Sequence, residues 1–224
     1  MKTTTLATVI LAALIAAPAA QAYEKGDWVV RGGLTTVAPD DETSTIIAGG
    51  ADLGVDLSVD NDTQLGLNVA YFITDNINIE LLAATPFSHD VSFGVSDPLG
   101  TGDKLGEVTH LPPTLTVNYY FNDPAAVFQP YIGAGLNYTF IYDEEFTSAN
   151  GDAGLTDLDL DNSFGVSAQI GADYMLNNDW HINASVRWID IDTEATFNVG
   201  EAQGSVNDIQ IDPWVYTISV GYTF

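Results

Sequence analysis

The side chains able to carry chemistry are few. Among 224 residues there are three histidines, His89, His110 and His181, and no cysteine. Without cysteine there are no thiol nucleophiles, thiolate metal sites, disulfides or dithiol redox centres. A serine nucleophile needs an imidazole within reach, and only Ser88, Ser92 and Ser96 lie near His89 or His110, with no G-x-S-x-G turn to expose one. No H-E-x-x-H is present. Asp157, Asp159 and Asp161 look like the start of an EF-hand calcium loop, but Asn162 stands where that loop needs glycine and Ala168 where it needs glutamate. The residues predict no enzyme, no cofactor and no metal centre.

Charge narrows the partners. Five Lys+Arg against 31 Asp+Glu give a net charge of −26, which leaves no basic footprint for nucleic acid. With 46% hydrophobic and only 16% charged residues, the chain is nevertheless a folding one. Lys2, the apolar run Leu6 to Ala17 and the small-x-small triplet Ala20-Gln21-Ala22 read as a secretory signal peptide over residues 1–22, cleaved before Tyr23. That run is too short for a helix across the membrane, which takes roughly 20 residues. Residues 23–224 form the remaining domain and must cross a membrane, if at all, with strands.

These residues are positioned by period-two segments. Trp214, Tyr216, Ile218, Val220, Tyr222 and Phe224 alternate with small, mostly polar residues, as do Phe164 to Tyr174, Trp180 to Trp188 and Ile132 to Phe140. Leu115 to Phe121, Ile77 to Ala83, Leu65 to Tyr71 and Trp28 to Leu34 bring the number of strands to eight. Short turns at Thr74-Asp75-Asn76, Asn122-Asp123-Pro124 and Asn177-Asn178-Asp179 alternate with longer connections near 38–62, 94–108, 143–161 and 200–208. Trp28, Tyr71, Phe121, Tyr174, Trp180, Trp214 and Tyr222 fall near strand ends, where interfacial girdles form. The pattern predicts an all-β, eight-stranded antiparallel transmembrane β-barrel of up-and-down topology, with long extracellular loops and short periplasmic turns. A soluble sandwich explains neither the loop asymmetry nor the terminal aromatic run.

The same alternation points Arg31, Arg187, Glu80 and Asp173 inward, where an ion-pair layer would block water and ions unless some of them lie solvated at the rim. Val29, Phe72, Leu82, Tyr131 and Met175 also point inward, either as a greasy path or as filling. Pro86, late in the third strand, and Leu111-Pro112-Pro113, opening the fourth, remove ladder donors at one extracellular height. Either a lateral opening into the outer leaflet forms there, or strand pairing ends and a loop begins. Asp40, Asp41 and Glu42, with Asp143, Glu144 and Glu145, make an acidic outer rim, solvated or bridged through divalent cations to lipopolysaccharide.

The segment Phe128-Gln129-Pro130-Tyr131-Ile132-Gly133-Ala134-Gly135-Leu136-Asn137-Tyr138-Thr139, preceded by Asn118-Tyr119-Tyr120-Phe121, resembles the outer membrane protein W family. So do Trp188-Ile189-Asp190-Ile191-Asp192-Thr193, the opening Gly26-Asp27-Trp28-Val29-Val30-Arg31 and the closing Val220-Gly221-Tyr222-Thr223-Phe224. The resemblance implies a monomeric barrel in the Gram-negative outer membrane, with a narrow, partly hydrophobic channel for small hydrophobic molecules. It also implies that Tyr222 and Phe224 address the chain to the barrel assembly machinery. A structural or receptor barrel and a loop-based lipid-modifying enzyme are the competing readings.

Overall fold

In the computed structural model the described residues are 23–40, 47–48, 51–52, 57–93 and 100–224. The expected signal segment 1–22, Asp41, Glu42 and Ser96 lie outside them. The barrel strands are β1 (Trp28–Ala38), β2 (Asp62–Thr74), β3 (Ile77–Ala84), β4 (Thr114–Tyr120), β5 (Phe128–Phe146), β6 (Ser163–Met175), β7 (Trp180–Ile189) and β8 (Trp214–Thr223). Each pairs antiparallel with its neighbours, and β1 closes on β8 from Val29 opposite Thr223 to Ala38 opposite Trp214. A closed sheet leaves no unpaired edge, which is what a strand structure in lipid requires. Among the described residues no helix is long and apolar enough to span a membrane.

Period two sorts the side chains. On β8, Trp214, Tyr216, Ile218 and Val220 face out while Val215, Thr217 and Ser219 are buried. Ile170 on β6 and Ile218 on β8 are 62% and 68% exposed and face the lipid side of the wall. The interior is the inverse, with Thr116, Asn118, Ser167, Gln169 and Asn183 buried among polar neighbours. Two glycines permit close approaches. A Cβ on Gly221 would sit within the His181 ring, and one on Gly171 within the Tyr131 ring.

Above the outer girdle the strands break and resume. β3 stops at Ala84 and continues as Phe87–Phe93, and β4 is preceded by Lys104–Leu111. Leu155–Leu160, Asp192–Val199 and Ala202–Gln210 similarly extend β6, β7 and β8. The connections expected as long loops thus carry ladders of their own. Period two did not flag them because Ser, Asp, Glu and Gly interrupt their apolar positions.

Candidate functional site

The four charged residues expected to form an inner layer stand on β1, β3, β6 and β7, and barrel closure brings them together. Arg31 donates from Nη1 to Glu80 Oε2 at 2.8 Å and from Nη2 to Asp173 Oδ2 at 2.8 Å. Arg187 Nη2 donates to Glu80 Oε1 at 2.9 Å, so the order across the lumen is Asp173, Arg31, Glu80, Arg187. All four are buried, which excludes a solvated rim position. Burying charge is costly unless each one is paired and hydrogen-bonded, and here uncharged neighbours meet most of the remaining valences, Arg187 Nη1 being left without a partner. Arg31 Nε donates to His181 Nε2 at 3.1 Å, and Asp173 also accepts from Tyr120 OH at 3.1 Å and Asn183 Nδ2 at 2.7 Å. Gln169 accepts from Arg187 Nε at 3.0 Å and donates to Asn118 at 2.5 Å. Sequence reasoning passed over Tyr120, Gln169, His181 and Asn183 as partners. Their polar-face alternation was visible, but which strands meet across the lumen was not.

The expected apolar lining divides in two. Val29, Phe72, Tyr131 and Met175 pack with Tyr23, Ala70 and Tyr120 in one cluster at the periplasmic end, so they fill the barrel there instead of lining a path. Leu82 lies apart from that cluster and is buried beside the Thr114 rung. A different apolar set occupies the extracellular half. Val37, Phe87, Ile189, Ile191 and Val215 pack with Ala84 and Ile211, and above them Leu155, Phe197 and Val206 gather Phe93, Leu105 and Phe146. None of these was read as lumen lining from the sequence, because they sit at or beyond the strand breaks.

Pro112 and Pro113 stand directly before β4 as expected, Pro86 lies beyond the end of β3 rather than within it, and pairing resumes above all three. The last rung between β3 and β4 is Leu82 opposite Thr114, and the next is Phe87 opposite His110. Between them, no backbone hydrogen bond among the described residues joins Ala83–Pro86 to Leu111–Pro113. Proline supplies no N–H, so Pro86, Pro112 and Pro113 cannot donate to the ladder. Both flanks stay anchored to their other neighbours, through Ala84 opposite Gly66 and Leu111 opposite Phe140. At the equivalent break between β7 and β8, by contrast, Ile189 N–H donates to Pro213 O and Ile211 N–H to Ile191 O. At the proline seam the ladder between β3 and β4 is thus interrupted and closed again above.

The histidines beside that seam bond each other. His89 Nε2 and His110 Nε2 are 2.9 Å apart, and His89 Nδ1 lies 2.6 Å from Asp60 O. Ser88 Oγ pairs with Thr109 at 2.9 Å instead of with an imidazole. Three carboxylates the sequence reading did not group, Asp190, Asp192 and Asp212, bring oxygens within 4.8 Å of one another at the outer girdle. They come from both sides of a strand junction, so no linear spacing flags them. At the other end Tyr222 stacks edge-on between Trp180 and Phe224, with Phe224 70% exposed.

The OmpW family matches residues 24–224. Outer membrane protein W of Vibrio cholerae is 46% identical, over the full length of both chains. The crystal structure of the outer membrane protein OprG from Pseudomonas aeruginosa superposes with a TM-score of 0.84 at 41% identity, covering 92% of this chain and 99% of that one. More distantly, a Pseudomonas aeruginosa protein named dibenzothiophene metabolism operon protein PahQ is 29% identical over 90% of each chain.

Proposed function

The chain belongs to the OmpW family of outer-membrane barrels, and we propose that it admits small hydrophobic molecules from outside and releases them sideways into the outer leaflet. The single observation that carries the reading is the window between β3 and β4. The window stands between two unlike halves of the lumen. Above and beside it, Phe87, Ile189, Ile191 and Val215 offer an apolar surface from which a greasy solute leaves water. Below it, the Asp173, Arg31, Glu80, Arg187 chain offers an apolar solute nothing in return for breaking paired charges. The way of least cost is through the wall. The name of the relative PahQ, which ties that protein to dibenzothiophene metabolism, favours the same class of solute. The protein works as a monomer, and the half-buried Tyr222 with the exposed Phe224 at the closing seam presents its terminal strand to the assembly machinery.

Replacing Pro112 and Pro113 together by Val tests this. The two restored donors should let the ladder close over the window, with the barrel as stable as before and uptake of naphthalene into expressing cells reduced. Hydrogen exchange at residues 112 and 113 reports whether the ladder has closed. Closure with unchanged uptake would overturn lateral release and leave a structural or receptor barrel.

A further inference from the structure

The periplasmic mouth holds a residue that belongs to no strand. Tyr23 precedes β1, yet its side chain is only 1% exposed. A turn folds it back into the lumen. Glu24 N–H donates to Asp27 Oδ2 at 2.8 Å, Asp27 N–H to Glu24 O at 3.1 Å, and Gly26 N–H to Phe72 O at 2.8 Å. Gly26 takes a φ of +104°, in the range that other residues seldom adopt, which makes the reversal affordable. The ring then stacks on Phe72 with centroids 4.2 Å apart and meets Tyr120 edge-on at 5.3 Å and His181 at 5.9 Å. Its hydroxyl donates to Asp173 Oδ2 at 2.5 Å.

We propose that this mouth is a binding site for a small para-alkylphenol, and that Tyr23 occupies it as a tethered stopper. Every element of recognition is in the wall, and Tyr23 enters only through its side chain. Phe72, Tyr120, Tyr131 and Met175 belong to one buried cluster with the Tyr23 ring, which Phe72 and Tyr120 contact directly. At its floor the Asp173 carboxylate, held by Arg31, Tyr120 and Asn183, accepts one more hydroxyl. A carboxylate at that point selects a neutral O–H donor and repels a carboxylate ligand. The substituent para to the hydroxyl leaves through the mouth, as the Tyr23 Cβ does. Tethering by a short turn gives the ring an effective concentration near the millimolar range, so the site is closed by default to weak ligands. The stopper stands apart from lateral release, since it closes the opposite end of the lumen.

The test is binding to the purified full-length barrel in detergent, with p-cresol as probe and toluene as control. Tyr23→Ala should leave a cup that p-cresol fills, raising the unfolding temperature of the variant in a saturable way and leaving the parent chain unmoved. Toluene should bind at least about tenfold more weakly, because a buried acceptor built for a hydroxyl is left unpaired by it. Tyr23→Phe keeps the packing and loses only the hydroxyl. There p-cresol should displace the tethered ring at roughly tenfold lower concentration than in the parent, followed by the His181 ring resonances. That second variant decides the matter if Tyr23→Ala does not fold. Equal binding of toluene and p-cresol, p-cresol binding that ignores residue 23, or no binding to either variant would each overturn the proposal. Uptake plays no part in this readout, so a failure of lateral release leaves it untouched.

Discussion

The two halves of the lumen solve the problem of a narrow barrel interior in opposite ways. The periplasmic half carries a directed polar network above its apolar floor: Arg31 alone touches Glu80, Asp173, Tyr120 and His181, and Glu80, Asp173 and Tyr120 each have a further partner. The extracellular half is apolar and tiered, with Phe87 and Ile189 packed by shape alone beside a wall that lacks rungs. A directed network cannot lose one member without stranding the others, whereas an apolar tier can shift and re-close. The difference places rigidity below and compliance above, which is the order that sideways exit of a greasy solute requires.

The sealed lower half is most exposed to a change at Arg31. Arg31→Met removes the cation shared by Glu80 and Asp173 and leaves two buried carboxylates short of a partner. Losing one member of such a set typically costs about 3–5 kcal/mol. Urea unfolding in lipid vesicles measures it. A loss below about 1 kcal/mol would mean that water reaches the layer and that the lower half is not sealed.

The matching change above is Phe87→Ala, which opens a hole in the apolar tier next to the window. Truncating a buried phenylalanine costs about 3–5 kcal/mol where the surroundings stay fixed. Here the hairpin Phe87–Phe93 with Lys104–Leu111 is free of the β3 and β4 ladder at that height and should settle into the space, so about 2 kcal/mol is expected. A full cost in the same urea experiment would make the upper half as unyielding as the lower.

How far the sequence foretold this contrast depends on which neighbour each residue needed. Period two along β8 and β6 reveals the barrel, because alternation is a property of one strand and lipid enforces it everywhere. The inward set Arg31, Glu80, Asp173 and Arg187 was legible for the same reason. That Arg31 bridges both carboxylates was not, since it depends on stagger between strands that are not adjacent. The inward position of Tyr23 was not legible: it lies outside every periodic segment, and only the turn at Gly26 sends it inward. Phe87 and Ile191 were missed because a strand that breaks and resumes resembles a loop in its polar positions.

The two halves also differ in their response to pH. His110 sits in the extracellular hairpin, and its burial together with the neighbouring His89 lowers its pKa from 6.5 to about 3, while Asp62 pulls weakly the other way. In the folded hairpin it is therefore neutral at any ordinary pH, whereas in the opened hairpin it takes up a proton below about pH 6.5. Above that value both states are neutral and His110 contributes no pH dependence. As pH falls from 6.5 toward 3 the opened form alone gains a proton, so the hairpin loses stability throughout that window. At pH 5.5 the loss relative to pH 7.5 should be about 1.4 kcal/mol, roughly a tenfold rise in opening. Amide exchange at Val108 and Thr109, whose strand carries His110, measures it, with β6 amides as the internal reference. His110→Phe removes the titrating ring and should flatten the profile. A profile equally steep in that variant would assign the pH response to other groups and leave the upper half no softer in acid than the lower.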